Sequence, residues 1–299
     1  MKILNFGSCN IDYVYSLDHI VTPGETLASD NLNIFPGGKG LNQSIALARA
    51  GAKVFHAGCV GEGGEILTDI LKESGVDTSL IKKLDVKNGH AIIQVNKDGE
   101  NSIFLYSGSN SMITEEYVTG VLENFEEGDI LLLQNEINNV SYIVEQAYKK
   151  NMCVIFNPSP FNEKIEEIDF NHLSYIILNS GEMKRLSGKP FAKDSISFIK
   201  SKYPKLKIML TMGKYGCVYI DETTEAYHDT FDVKVIDTTA AGDTFTGYFI
   251  KGIADGEGIQ NVLEKASMAS AIAVSRKGAA PSIPEKEEVE KALSEKLTV

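Results

Sequence analysis

The run "DTTAAGDTFTGYF", Asp237 to Phe249, sets a carboxylate, Asp243, directly after small residues at the expected start of a helix. Free main-chain N–H groups at such a helix end bind anions, which makes Ala241, Gly242 and Asp243 a candidate anion hole. A carboxylate placed there has a chemical purpose if a substrate hydroxyl stands between it and a phosphoryl group. The carboxylate would take the hydroxyl proton while the N–H groups face the charge on the transferring group. The same residues also read as an ordinary N-cap, with Asp243 at the positive end of the helix dipole.

A second candidate is "PGGKGLNQSIALARAGA", Pro36 to Ala52, where glycines permit close approach of the backbone and Asn42 falls in the first turn of a helix. Its plainer reading is a glycine turn before a core helix. A third is "GKYG", Gly213 to Gly216, a glycine-bounded turn after the run "KIMLT". Asn179 and Glu182 have the spacing of a helix capping box. Other chemistries lack their motifs: there is no G-x-x-x-x-G-K-[ST], no G-x-G-x-x-G after the first strand, no H-E-x-x-H and no G-x-S-x-G.

These residues need elements to hold them. Short apolar runs recur ("KILNFG", "DILLLQNE", "CVIFNPS", "YIILNSGE", "KIMLTMG"), each ending in polar residues or glycine, as strands covered on both faces do. Helical patterns lie between them over Gly40 to Ala50, Gly64 to Ser74, Val140 to Lys150, Ala192 to Tyr203, Ala241 to Ala254 and Gly258 to Arg276. The alternation predicts an α/β fold with a doubly wound, mostly parallel sheet, whose ligands sit outside the carboxyl ends of its strands. That rim would gather Glu136, Asn157, Asn179, Thr211 and Gly213. Residues of about 12–35 and 89–106 read instead as short alternating strands, with "KDGE" as a hairpin turn, and predict a small inserted β sheet. A surface helix is expected from about Pro284, and with no linker or repeat one domain is expected over 1–299.

Composition narrows the partners. Lys and Arg number 29 against 41 Asp and Glu, a net charge of -12 that repels nucleic acid and anionic lipid. The four cysteines are scattered among apolar runs, and the N-terminus meets Gly, Asn and Asp too early for a signal sequence. A soluble cytoplasmic protein is expected.

Taken together, "GGKGLNQSIALARAGA" and "DTTAAGDTFTGYF" resemble the paired signatures of the ribokinase family of sugar kinases, the phosphofructokinase-B-type carbohydrate kinases. The resemblance runs nearly end to end, through "NID", "PGET", "GCVGEGG", "GENSIFLYSGSN", "NSGEMKRLSG" and "AIAVSRKGAAPSIP". It implies a ribokinase-like fold with a β lid over the substrate, and ATP-dependent phosphorylation of a primary sugar hydroxyl, first of all the 5-hydroxyl of D-ribose. Deoxyribose, a nucleoside or another sugar are the alternatives within the family; a non-catalytic sugar or nucleotide sensor is the alternative outside it. The family's sugar contacts fall on Asn10, Asp12, Gly38, Lys39, Asn42 and Glu136, its catalytic base on Asp243, and its anion hole on Ala241 and Gly242. Its N-x-x-E motif, which orders Mg²⁺ through water, falls on Asn179 and Glu182, and its nucleotide loop on Thr211, Gly213 and Gly216. Its monovalent-cation (K⁺) site falls on Asp237, Thr239, Ala273, Arg276, Gly278 and Ser282, mostly through backbone carbonyls. The resemblance also implies a homodimer paired through the lids. The chain departs from the family pattern at Ala240, where Gly is common, and at Ser267 and Met268, near the adenine. Lid side chains such as Tyr13, Ile92 and Phe104 are expected to choose the sugar.

Overall fold

Runs of Ile, Leu and Val too short for helices become strands whose successive side chains feed two different cores. The computed structural model describes residues 1–295. In chain order its strands are β1 (Ile3–Phe6), β2 (Asn10–Ser16), β3 (Asn31–Gly37), β4 (Val54–Glu62), β5 (Asp77–Lys87), β6 (His90–Val95), β7 (Asn101–Tyr106), β8 (Ile130–Gln134), β9 (Cys153–Asn157), β10 (Tyr175–Asn179), β11 (Lys207–Thr211), β12 (Cys217–Ile220) and β13 (Glu225–His228). Its helices are α1 (Lys39–Arg49), α2 (Glu65–Glu73), α3 (Glu115–Leu122), α4 (Val140–Lys149), α5 (Ser180–Ser187), α6 (Ala192–Lys202), α7 (Ala241–Ala254), α8 (Ile259–Val274) and α9 (Lys286–Ser294).

A nine-stranded sheet has the order β13-β12-β11-β10-β9-β8-β1-β4-β5. It is parallel from β5 through β11, and β12 and β13 extend it antiparallel. In β8, Ile130 and Leu132 join the core shared with α1, α7, α8 and α9, whereas Leu131 and Leu133 join the core shared with α3, α4 and α6. Helices therefore cover both faces, as the doubly wound expectation requires.

The five apolar runs are β1, β8, β9, β10 and β11. Strands β4, β5, β12 and β13 and helices α3 and α5 are additions to the sequence reading. Strand β4, "VFHAGCVGE", is broken up by His56, Gly58 and Gly61, and Gly58 is needed because a Cβ there would lie 2.4 Å from Gly7 O. Strand β5 is a half-covered edge, and α3 and α5 have eight residues each, too few for a clear helical period.

The second sheet has four strands in the order β3-β2-β6-β7. It starts at Asn10 rather than at Asp12 and runs on to Gly37 rather than stopping at Phe35, so β3 delivers the chain directly into the glycine turn before α1. Residues paired across strands share a face. Asp12 is in register with Phe35 and Ala91, and Ala91 with Leu105; Tyr13 is in register with Ile34 and Ile92, and Ile92 with Phe104. The lid thus has an Asp12 face and a Tyr13 face. Among the described residues no helix is long and apolar enough to cross a membrane.

Candidate active site

The carboxyl ends of β1, β8, β9, β10 and β11 and the N-termini of α1 and α7 surround one region, as the rim argument anticipates. Asp243 sits in the first turn of α7, 7% exposed. Ala240 precedes the helix with φ 59°, and the first α-type bond there is Thr244 N–H to Ala240 O at 2.8 Å. The N–H groups of Gly242 and Asp243 come before that bond and point out of the helix end. A Cβ at Gly242 would meet nothing within 4 Å, so the space in front is open. The Asp243 carboxylate does not cap its own helix. It accepts from α1 instead, from Asn42 Nδ2 at 3.2 Å and Gln43 Nε2 at 2.8 Å. Asn42 Oδ1 is buried with no hydrogen-bond partner among the described residues, as are Gln134 Oε1 and Thr244 Oγ1.

Gly38, with φ 95°, turns the chain into α1 against β2, where a Cβ would come 3.0 Å from Asn10 N. Lys39 N–H donates to Glu136 Oε2 at 2.9 Å, and Ser8 Oγ donates to the same oxygen while accepting from Gly40 N–H at 3.2 Å. Asn10 Oδ1 accepts from Asn110 Nδ2 at 2.7 Å. Asn10, Asn110, Glu136 and Leu105 line a cavity of about 170 Å³. The Asp12 face of the lid is therefore the one over the site. Tyr13 and Ile92 line a different cavity on the outer face, and their register partner Phe104 lies on that face with them, so the expectation that these three choose the sugar is corrected. Ala91, Ile93 and Leu105 share the Asp12 face instead.

Negative charge gathers around Lys39. Burial pushes the Asp12 carboxyl up to about 7, with Glu136 adding to the rise. Burial likewise raises Glu136 and Asp243 adds to it, against the opposing pull of Lys39 and Ser8. For Lys39 burial acts downward, but Asp243, Glu136 and Glu182 outweigh it and hold the ammonium above its usual value.

On the other side of Asp243, a cavity of about 560 Å³ is lined by Thr211, Gly213, Gly216, Ala241 and Gly242, with Phe231, Ser267 and Ser270. Met268 turns away into the core, whereas Ser267 faces this cavity. Asn179 and Glu182 form a reciprocal capping box on α5, each bond 2.9 Å, so the plainer reading of that pair is realised; it uses one oxygen of each side chain.

The loops carrying the cation-site candidates are tied together. Asp237 Oδ1 accepts from Thr239 N–H at 2.9 Å, Asp237 Oδ2 from Gly278 N–H at 2.9 Å, and Ile236 N–H donates to Val274 O at 2.8 Å. Burial alone would raise the Asp237 carboxyl, but bonds from Thr239 and Gly278 and the nearby Lys277 hold it below its usual value. The Arg276 side chain leaves this region to pair with Glu288 at 2.6 Å, which leaves only its main chain to the site. Ser282 is fully buried, its hydroxyl donating to Ala279 O at 2.8 Å. The donors gathered here are all oxygens, a hard set that fits an alkali or alkaline-earth cation.

Three residues of the site escaped the sequence reading. Ser8 and Asn110 hold Glu136 and Asn10, and Gln43 holds Asp243. The one available signal for Gln43 is its place in the polar triplet Asn42-Gln43-Ser44 of a helix that is otherwise mostly apolar.

Residues 1–286 match the model of the pfkB family carbohydrate kinase. The chain is 36% identical to ribokinase of Bacillus subtilis over 299 residues, covering 98% of this chain and 99% of that one. Ribokinase from Thermotoga maritima superposes with a TM-score of 0.88 at 33% identity, covering 98% and 99% of the two chains. Ribokinase from Cryptococcus neoformans, solved with ADP, gives 0.84 at 32% identity over 97% and 99%. The mostly parallel sheet with its lid is therefore a ribokinase-like fold, and the chain belongs to the pfkB family of carbohydrate kinases.

Proposed function

We propose that this chain transfers the γ-phosphoryl group of ATP to the 5-hydroxyl of D-ribose, with Asp243 as general base. The observation that carries the proposal is a buried carboxylate, held by Asn42 and Gln43, at an open helix end between the larger cavity and the polar cluster of Asn10, Asp12 and Glu136. ATP occupies the larger cavity along Thr211, Gly213 and Gly216, and the sugar is held by Asn10, Asp12, Gly38, Lys39, Asn42 and Glu136. Asp243 takes the hydroxyl proton as the oxygen attacks the γ-phosphorus and ADP leaves. The N–H groups of Gly242 and Asp243 face the charge on the transferring oxygens, while the N–H of Ala241, also expected in the anion hole, is bound to Thr238 O at 3.3 Å. Ribokinases of similar sequence and full-length coverage support ribose as the acceptor. A base at this point has no use in a pure sensor.

Among the described residues no three His, Cys, Asp or Glu side chains gather to hold a metal. Mg²⁺ would then rest on phosphate oxygens and water, ordered by Asn179 and Glu182, and would supply charge neutralisation. Asp237, Thr239, Ser282 and the main-chain oxygens of Ala273, Arg276 and Gly278 would hold K⁺, which would brace the anion hole from behind. The test is ADP release across pentoses, hexoses and nucleosides with K⁺ or Na⁺ present, for wild type and Asp243→Ala. Ribose is expected to turn over best. A better acceptor overturns ribose, and no turnover with any acceptor overturns the kinase.

The raised Asp12 carboxyl gives a pH prediction. A group whose folded value lies near 7 is protonated more readily in the folded protein than in the unfolded chain. Its contribution to stability is complete below the ordinary carboxylate range and is lost as pH rises through about 7. Sugar hydroxyls donating to Asp12 favour the ionised form, so ribose binds with release of a proton. The KM for ribose is expected to rise as pH falls below about 7, and Asp12→Asn to flatten that dependence. A wild-type KM that is level across this range refutes the assignment.

The lids pair two copies in this proposal. On the Tyr13 face Leu32, Ile34 and Phe104 are 43%, 51% and 56% exposed, an apolar surface on a sheet whose outer edges pair with no strand among the described residues. Light scattering is expected to show a dimer for wild type and a monomer for Phe104→Asp; a wild-type monomer contradicts the pairing. The four cysteines are unpaired, in keeping with a reducing cytoplasm.

A further inference from the structure

Behind Asp243 a line of buried polar side chains crosses beneath α1, and none of them belongs to the sugar or nucleotide contacts. Asn5, His56 and Gln134 come from β1, β4 and β8, Asn157 from β9, and Gln43 and Ser44 from α1; Asn157 is 8% exposed and the others 1% or less. The strand register sets them side by side, with Asn5 opposite His56 and Gln134 opposite Asn157.

Each amide in the line has its orientation dictated by a neighbour. Asn5 Nδ2 donates to Gly40 O at 2.7 Å and Ser44 Oγ at 2.8 Å, which leaves the Ser44 hydroxyl proton for His56 Nδ1 at 2.8 Å. Asn5 Oδ1 accepts from Gln134 Nε2 at 2.9 Å, and Gln134 Nε2 also donates to Gln43 Oε1 at 2.7 Å. With its oxygen so occupied, Gln43 must turn its NH₂ the other way. One N–H goes to Asn157 Oδ1 at 3.0 Å and one to Asp243 Oδ1 at 2.8 Å. Asn157 cannot present its own NH₂ there, because Nδ2 is bound to Ile177 O at 2.8 Å. Burial pushes the His56 imidazole down to about 4, so the far end of the line is neutral near pH 7.

We propose that Gln43 is a positioning residue for phosphoryl transfer: held by Gln134 and Asn157, it locks Asp243 Oδ1 and so leaves Oδ2 to take the substrate proton. Oδ2 has only the longer bond from Asn42, and a lone donor at 3.2 Å would let the carboxylate rotate. The proposal rests on Asp243 being the base. Its effect belongs to kcat, since Gln43 does not line either ligand cavity.

The test measures kcat, KM for ribose and for ATP, and melting temperature for Gln43→Met, Gln134→Leu and Asp243→Asn, with Leu131→Ala as a core-destabilised control on the opposite face of the sheet. Gln43→Met is expected to lower kcat about 10- to 100-fold, the range seen when a partner that orients a metal ligand is removed, with both KM values unchanged. Gln134→Leu touches no ligand and is expected to lower kcat in the same direction by a smaller factor. Leu131→Ala is expected to lower the melting temperature with kcat intact. Wild-type kcat in Gln43→Met, or KM moving in step with kcat, overturns the proposal. If Gln43→Met does not fold, wild-type kcat in Gln134→Leu overturns it instead. Asp243→Asn separates the two levels: full activity there removes the base itself, whereas an inactive Asp243→Asn beside a fully active Gln43→Met removes only the positioning role.

Discussion

Asp243→Ala is expected to reduce kcat for ribose phosphorylation about 10²- to 10⁴-fold, the range associated with a general base, while ribose and ATP still bind. The split follows from where the functions reside. The proposed anion hole is main chain, from Gly242 and Asp243, and α7 keeps those N–H groups whatever side chain stands at 243. The nucleotide cavity is lined by residues that the substitution leaves in place. What disappears is the proton acceptor, and with it the partner of Asn42 Nδ2 and Gln43 Nε2, two buried donors that must then find water. Asp243→Asn keeps the side-chain volume and removes the charge, so a similar loss in both variants assigns the effect to the carboxylate. Coupled ADP release gives kcat, and calorimetric titration gives the two affinities. A rate within threefold of wild type in either variant would sink the mechanism; loss of binding in proportion to rate would make Asp243 a ligand of the sugar alone.

The elements of the site were legible wherever local sequence carries the chemistry. Asp243 is visible as a carboxylate at a helix start after Thr-Thr-Ala-Ala-Gly, although an N-cap is its plainer reading, and the parallel sheet follows from runs such as "ILLLQ" and "YIILN" that suit burial on both faces. Residues whose meaning depends on a distant partner were not legible. Gln134 closes a strand and looks like a strand end, yet its contacts are Asn5 and Gln43, 129 and 91 positions away. His56 and Gly58 interrupt β4 and hide it, for reasons that lie on β1 and α1: His56 meets Ser44, and Gly58 makes room for Gly7. Lid residues were visible as strands, but which side chains share a face depends on the pairing of β2 with β6, and that register sets Tyr13, Ile92 and Phe104 on the face opposite to Asp12. The Asn179–Glu182 pair shows the opposite case, in which a purely local motif predicts its own geometry in full.

Gly40→Ala is the second substitution with a large expected effect, and two physical terms of opposite sign decide it. Gly40 is the second residue of α1, where helix propensity favours Ala over Gly by at most the roughly 1 kcal/mol of a helix interior. Against that, a Cβ at this position would stand 2.3 Å from Ser8 N, 2.5 Å from Gly7 C and 2.6 Å from Gly7 Cα, all of it main chain that cannot rotate away. Overpacking of this kind costs about 1–3 kcal/mol and moves backbone, so the clash should outweigh the propensity and the melting temperature should fall. The displaced element is the one that carries the site. Gly40 N–H to Ser8 Oγ, Lys39 N–H to Glu136 and Gln43 N–H to Asp243 all depend on where α1 sits, and a shift of about 1 Å between reacting groups can cost 10²-fold in rate. Gly120→Ala supplies the comparison, because a Cβ at Gly120 in α3 meets nothing within 4 Å and only the propensity term remains. Gly120→Ala should therefore raise the melting temperature and leave kcat alone, while Gly40→Ala lowers both. If Gly40→Ala melts as high as Gly120→Ala and keeps wild-type kcat, the close approach of α1 to the end of β1 is not what holds this site in place.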